Sequence, residues 1–527
     1  MIHNIKSTVA ALTLMSLLIL GCQKDIVKLD DPNKISADLF YTNEKEALFG
    51  LYGIYDAYQS INLMGNHFNS FNIISDDLAN NNSIDGFRAF ELSNQEPFSN
   101  PRVLNFYLHF YTVINRASYV IDKVDKMTSS QINDLNKKRI IAEASFLRDF
   151  SYFMLTNLYR DVPFYMEPQG IHTTFLGPTL KSEIWKFLKG DLTQKVQDLP
   201  LSIPASENGR ISRGAAITLL GQIYLYEKDY LNAEAILRPL LSAPYSYSLY
   251  PDYNKLFTPA GEYSSESIFE INFDASGADR GVNDAGNPVV NGSVFSTTID
   301  TNQQIAKPKN NLTPANKFVD SYLCKDGKPI VNSTLYGTKS PMYDASTPEG
   351  KFNSRDPRLR ATVLTSADVL PSGKKLWKWT SNTTYAVKKY VEITSAQYPS
   401  NPQNFYVYRF ADVLLMYAEA QNELLAAPGI SVYNSVNKVR KRVNMPDYPL
   451  GLTKQQMRER IRDERRWEFG LEYYRYFDLK RWGIIQDAIT NSGVSQKAFT
   501  NPRDYVWPIP QAELDVNTKM VQAVEWK

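Results

Sequence analysis

The sequence predicts a mostly α-helical protein, built as a helical scaffold that carries long irregular loops and a few short strands. Three observations support this fold class. Apolar residues recur at helical spacing in the first and last parts of the chain. Residues 246–405, which lie between them, are rich in Pro, Gly, Asn, Ser and Thr, and their helical periodicity fades. Residues 213–241 have the pattern of a close-packed helix pair.

The N-terminal helical region, residues 41–245, begins with long amphipathic segments. Their apolar spacing predicts helices at Glu44–Ile61, Val103–Val124, Ser129–Tyr159 and within Pro178–Leu199. Ser129 or Ser130 is a candidate N-cap for the third of these. A polar insertion, residues 62–100, interrupts the region with many Asn, Ser, Asp and Phe residues. Because binding residues are often found on loops held by a rigid scaffold, this insertion is a candidate binding segment.

The segment 213–241 carries the spacing of a tetratricopeptide repeat. Leu220, Gly221 and Tyr224 are followed by Ala233 and Leu237, and small residues at such positions let two antiparallel helices approach closely. We interpret this unit as a packing element that needs no ligand.

The rest of the chain returns from loops to helix. Ser267–Phe273 alternates like a strand. In the C-terminal region, residues 406–527, periodicity predicts helices at Phe410–Leu425, Ser431–Val443 and Thr453–Trp482. The last of these would place Glu468, Glu472 and Arg475 on one face. Such a row resembles acid–base machinery, but we interpret it as ion pairs that fix helix packing.

The first forty residues predict export and lipid anchoring. An apolar run from Val9 to Leu20 is too short to span a bilayer, and Gly21-Cys22 follows it directly. This end resembles a bacterial lipobox, so residues 1–21 are expected to be a signal peptide and Cys22 the lipidated residue. Residues 22–40 would then form a tether that holds the folded body off the membrane.

Composition excludes several function classes. The formal net charge is +2 without a basic block, which argues against nucleic acid as a partner. Only two cysteines occur, so a lipidated Cys22 leaves Cys324 without an intrachain disulfide partner. No metal-ligand or catalytic-triad spacing is found among the few histidines, and we expect no cofactor. The 33 tyrosines suit recognition of an uncharged polar ligand such as a sugar.

Several motifs together resemble the SusD/RagB family of outer-membrane lipoproteins. They occur in the family's order through nearly the whole chain, as Ala142–Arg148 with Tyr159–Pro163, Gly209–Ala216, Tyr408–Ala420, Ile461–Phe469 with Arg475–Gly483, and Trp507–Pro510. The resemblance implies a SusD-like helical scaffold with tetratricopeptide-like helix pairs. It also implies a lipid-anchored, non-enzymatic protein on the cell surface, which captures glycan and delivers it to a SusC-like TonB-dependent barrel transporter in the outer membrane. Some relatives capture peptide instead.

Candidate ligand contacts fall in two loop regions. The insertion 62–100 offers aromatic and polar side chains, and the resemblance favours this region: Asn66, Phe68, Asp76, Asp77, Phe87 and Arg88. The exposed tryptophan expected there from the family is absent. In the loop-rich region 246–405, Trp377 and Trp379 alternate on a predicted strand near Tyr385 and could stack on a sugar. Burial of both tryptophans in a small sheet is the alternative.

Three rival functions remain open from the sequence. A glycan-cleaving enzyme would need two carboxylates separated by a ligand-sized gap, whereas Asp76 and Asp77 are adjacent. A peptide-capturing protein would share every scaffold motif. A pure interaction scaffold would bind a membrane partner and no small ligand.

Overall fold

The computed structural model describes residues 40–60, 62–65, 68, 70–80, 100–170, 174–273, 312–335, 354–364, 385–390, 403–494 and 498–527. The predicted signal peptide, the predicted lipidation site Cys22 and nearly all of the predicted tether lie outside these residues. So does much of the loop-rich region 246–405.

The N-terminal helices confirm the predicted scaffold, with bounds shifted by a few residues. They are α1 (Glu44–Tyr58), α2 (Ser70–Ile73), α3 (Pro101–Asp125), α4 (Asp134–Tyr159) and α5 (Lys181–Lys195). The predicted cap of α4 at Ser129 or Ser130 is wrong. Asn133 caps this helix, because its Oδ1 accepts the Asn136 N–H at 2.9 Å.

The tetratricopeptide-like unit is a helix pair made of α6 (Arg213–Tyr226) and α7 (Tyr230–Leu237). Ser212 and Asp229 cap the two helices. A Cβ atom at Gly221 would lie 2.5 Å from Leu237 Cδ2, so only glycine permits this approach. The small residue therefore has the packing role that its spacing predicts.

Among the described residues, short helices and three strand pairs connect the two helical regions. The helices are α8 (Tyr253–Leu256), α9 (Asn316–Ser321) and α10 (Pro357–Thr362). All three pairs are antiparallel: β1 (Leu78–Asn80) with β3 (Leu312–Pro314), β2 (Ser267–Ile271) with β6 (Phe405–Arg409), and β4 (Val363–Leu364) with β5 (Ala386–Val387).

The C-terminal helices confirm two predictions and correct a third. They are α11 (Phe410–Leu424), α12 (Ile430–Arg442), α13 (Lys454–Glu468), α14 (Tyr474–Trp482), α15 (Ile485–Thr490) and α16 (Gln511–Val516). The predicted helix Thr453–Trp482 is thus two helices, α13 and α14.

The break between α13 and α14 follows from packing. Leu471 and Tyr473 have φ values of 64° and 89°, which an α-helix cannot contain. Gly470 lies so close to Phe318 that a Cβ atom would be 2.7 Å from its ring. Because of this break, Glu468 and Arg475 do not share one continuous helix face.

Aromatic side chains fill much of the core. Phe71 packs on Phe106 and Phe477 at ring separations of 5.0 and 4.8 Å, which joins α2, α3 and α14. In the described part of the chain, no helix is both long and apolar enough to cross a membrane.

Candidate functional site

A buried cluster of charged residues lies between β6, α12 and α13. Arg409 donates hydrogen bonds to Glu266 at 2.7 Å, to Glu468 at 2.6 Å and to Glu472 at 2.8 Å, and all four side chains are fully buried. We call the whole group the paired cluster; it contains Arg358, Lys389, Arg409, Arg440 and Arg442 with Glu266, Asp356, Glu464, Glu468 and Glu472. Each cation in it meets at least one carboxylate.

The charges of the paired cluster neutralise one another within the protein. Burial alone would raise the pKa of Glu468, but Arg442, Arg409 and Arg358 outweigh burial and hold that pKa well below its usual value. A carboxylate held ionised and surrounded by guanidinium groups has no free lone pair for proton transfer. The predicted row of charges therefore forms ion pairs that fix packing, although its members come from several elements and not from one helix face.

Asp76 and Asp77, predicted as ligand contacts, are buried and bound within the protein. Arg475 Nε donates to Asp76 at 2.7 Å, and Arg466 lies 2.8 Å from Asp77. Burial would raise the pKa of Asp76, yet Arg475 and Arg466 lower it well below its usual value. These two side chains hold the start of β1 against α13 and α14. We therefore correct their assignment from ligand contact to scaffold.

Phe68 is also corrected. Its side chain is fully buried, with ring separations of 5.2 Å to Phe71, 5.9 Å to Phe405 and 5.3 Å to Tyr473. A phenylalanine in a polar insertion suggests exposure, but long-range contacts with β6 and the segment before α14 place this ring in the core.

Of the other predicted contacts, Asn66, Phe87, Arg88, Trp377 and Trp379 lie outside the described residues. Tyr385 is described. It is half-buried, packs against the core and directly precedes β5.

The strand pairs bring the ends of three long segments together. Asn80 pairs with Leu312, so residues 81–99 and 274–311 join the body at neighbouring points. Leu364 pairs with Ala386, where residues 365–384 leave and return. Because β3 also packs beside β5, the start of residues 81–99, the end of residues 274–311 and both ends of residues 365–384 lie at one group of strand ends, which we call the sheet edge. Residues 274–311 begin elsewhere, after Phe273. Tyr385 lies at the sheet edge.

A separate aromatic cleft of about 600 Å³ opens beside α3. Tyr107, Tyr111 and Tyr165 line it, Phe175 is 46% exposed there, and Asn115 and Gln169 add polar groups. The sequence did not reveal this cleft, because Tyr107 and Tyr111 at i and i+4 read as an ordinary core stripe of a helix. Its lining mixes these flat rings and amides with the charged side chains of Arg116, Glu167 and Glu513.

The described residues contain no group of three or more His, Cys, Asp or Glu side chains placed to hold a metal ion. The amides of Asn115 and Gln169 in the aromatic cleft are suited to hydrogen bonding.

Two family models match the chain. The model described as "SusD family" matches residues 265–526, and the model described as "Starch-binding associating with outer membrane" matches residues 30–225. Together they cover most of the two helical regions and leave residues 226–264 between them unmatched.

Individual relatives are similar over nearly their full lengths. A SusD-like protein of Formosa agariphila is 26% identical over 517 residues, which cover 94% of each chain. A solved structure named a laminarin-binding SusD-like protein is 27% identical, with a TM-score of 0.72, and the match covers 92% of this chain and 100% of that one. A SusD-like carbohydrate-binding protein of Bacteroides fragilis has a TM-score of 0.77 at 24% identity, covering 91% and 99% of the two chains.

Proposed function

The chain belongs to the SusD family, and from this premise we propose that it is a cell-surface protein that captures glycan, an oligo- or polysaccharide, without cleaving it. One observation carries the proposal. The laminarin-binding SusD-like protein is 27% identical to this chain over 92% of this chain and 100% of that one, and its TM-score of 0.72 supports a shared scaffold. Because fold alone does not specify a ligand, the loops must supply the contacts.

The sheet edge formed by β1, β3, β4 and β5 is the proposed location of these contacts. Residues 81–99 and 365–384 leave from it and carry Phe87, Arg88, Trp377 and Trp379. Residues 274–311 end at it, and Tyr385 lies at the edge itself. Aromatic faces stack on the C–H surface of a sugar, and guanidinium groups bond its hydroxyls. Asn66 remains a candidate contact from the insertion before β1.

We further propose that a lipid on Cys22 anchors the protein to the outer membrane, where it delivers glycan to a SusC-like TonB-dependent transporter. The lipobox-like sequence Leu20-Gly21-Cys22 and the family description "associating with outer membrane" support this location. Replacing Cys22 with Ala should release the protein into the soluble fraction with unchanged ligand affinity. Membrane retention of the Cys22→Ala protein would count against the anchor.

A glycan array probed with the purified mature protein tests the ligand class. The expected result is saturable binding to one family of glycans, including laminarin oligosaccharides as the first probe, without release of reducing ends. An array without signal, together with peptides recovered from the protein isolated from its native membrane, would replace glycan by peptide as the ligand. Release of reducing ends would contradict the proposal that the protein does not cleave glycan.

A further inference from the structure

A second pocket, of about 220 Å³, lies far along the chain from the loop segments. It forms where the end of α4, the first turn of α5 and α14 meet. We call it the lysine pocket; its lining includes Asn157, Arg160, Lys181, Trp185, Lys480 and Arg481.

Both lysines of this pocket point their ammonium groups at one residue. Lys480 Nζ donates to Asn157 O at 2.7 Å, and Lys181 Nζ donates to Asn157 Oδ1 at 3.1 Å. Lys181 also lies 4.1 Å above the Trp185 ring. Within the described residues, neither ammonium group has a carboxylate at ion-pair distance. Since an ammonium group carries three N–H donors, these hydrogen bonds leave donors for a ligand.

The arginines of the lysine pocket, in contrast, are neutralised. Arg481 lies 2.8 Å from Asp478 and also binds Glu419. Arg160 binds Asp161 at 3.2 Å and also Glu525. The backbone of Arg160 has a φ of 67°, a left-handed conformation that is costly for a residue with a Cβ atom.

The two lysines line one cavity, and neither forms an ion pair within the described residues. The pKa of Lys181 is lowered to about 8, mainly by burial; Asp161 and Glu227 oppose this shift, and Arg160 adds a smaller lowering effect. Burial also lowers the pKa of Lys480 well below its usual value, and the charge of Lys181 adds to this effect. Two cations that disfavour each other in one cavity are stabilised by an anion placed between them.

We propose that the lysine pocket binds a tetrahedral oxyanion, a sulfate or phosphate group, either free or as an ester on a saccharide. Lysine ammonium groups bind such anions as point charges, and the pocket volume accommodates one oxyanion with part of an attached sugar ring against Trp185. This site goes beyond glycan capture by the loops and does not depend on it.

Thermal melting in added salts tests the proposal. Sodium sulfate or sodium phosphate should raise the Tm of the wild-type protein saturably, above the effect of sodium chloride at matched ionic strength. Lys480→Met should weaken the apparent affinity by at least about tenfold, because it removes one charge-assisted hydrogen bond. Lys480→Arg should retain binding. Lys454→Met, which alters a lysine outside the pocket, is the matched control and should bind like the wild type.

Three results would overturn the proposal: no saturable effect of either anion on the wild type, unchanged affinity in Lys480→Met, or equal loss in Lys454→Met. If Lys480→Met fails to fold, Lys181→Met provides the same comparison. A sulfated oligosaccharide distinguishes the two sources. Binding at least tenfold tighter than inorganic sulfate, lost in Lys480→Met, identifies the ester, whereas equal affinity identifies the free anion.

Discussion

The paired cluster and the lysine pocket both bury charged side chains, but they differ in whether carboxylates neutralise the buried cations. In the paired cluster, each of the cations Arg358, Lys389, Arg409, Arg440 and Arg442 contacts a carboxylate. In the lysine pocket, Lys181 and Lys480 contact only neutral oxygens and aromatic rings. Buried charges that are fully matched fix the packing of the scaffold, whereas unmatched ones keep a binding capacity.

The largest effect is expected from breaking the paired cluster. Arg409→Met leaves Glu266, Glu468 and Glu472 partly unpaired in the interior, so we expect a loss of about 3–5 kcal/mol in the free energy of unfolding. Chemical denaturation measures this loss. Lys441→Met, at an exposed ion pair of 3.0 Å with Asp447, is the control and should change stability by less than about 0.5 kcal/mol. Equal losses of stability in the two variants would contradict the claim that the paired cluster stabilises the fold more than an exposed ion pair does.

The opposite sign is expected in the lysine pocket. In a buffer free of sulfate and phosphate, Lys480→Met removes an unmatched charge and keeps an apolar chain of similar length. We therefore expect the free energy of unfolding to rise by about 1 kcal/mol. The same denaturation experiment measures it. A loss as large as that of Arg409→Met would show that Lys480 is a structural residue.

The pH dependence of the free energy of unfolding should distinguish Lys181 from an ordinary surface lysine. The pKa of Lys181 is lowered to about 8 in the folded state, mainly by burial, against about 10.4 when unfolded. Between these values the unfolded state binds more protons, so the contribution of Lys181 to stability rises with pH. Any increase in the free energy of unfolding of Lys181→Met over the wild type should therefore be largest below pH 8 and should decrease as the pH approaches 10. A constant difference across this range would contradict the lowered pKa.

A smaller effect of opposite slope is expected at Glu262. Its pKa is raised to about 7, mainly by burial and to a smaller extent by Glu270. The Asn404 N–H, which donates to the carboxylate at 2.9 Å, opposes this shift. The folded state then binds more protons than the unfolded state between about pH 4.5 and 7, so wild-type stability falls with pH in this window. Because Glu262 is only half-buried, Glu262→Gln should gain about 0.5 kcal/mol above pH 7 and nothing below pH 4.5. A thermal melting series over pH measures this difference.

Helix positions and the repeat pair could be predicted because periodicity is local: α1, α11 and α12 begin and end within three residues of their predicted bounds. The break at Gly470 could not be predicted, because it depends on the distant ring of Phe318. The sequence also suggested exposure for Phe68, whose burial depends on Phe405 and Tyr473.

The candidate sites were harder to predict than the scaffold. The lysine pocket joins Lys181 to Lys480 through Asn157, and no motif spacing links residues so far apart in the chain. The charged row at Glu468 and Glu472 was recognised as structural, but its partner Arg409 comes from β6 and was not identified. The sequence identifies residues that can carry charge or bind a ligand, whereas the structure is needed to identify which residues they contact.

Glycan capture by the loops is tested most directly by isothermal titration calorimetry with the strongest ligand of the glycan array, starting with laminarihexaose. The account predicts saturable binding to the wild type and to Phe175→Ala, which alters an exposed ring of the aromatic cleft. It predicts at least about tenfold weaker binding to Trp377→Ala/Trp379→Ala at an unchanged Tm, because stacking on each ring contributes on the order of 1 kcal/mol. Unchanged affinity in the double variant, or loss only in Phe175→Ala, would contradict the account and place glycan outside the tryptophan segment.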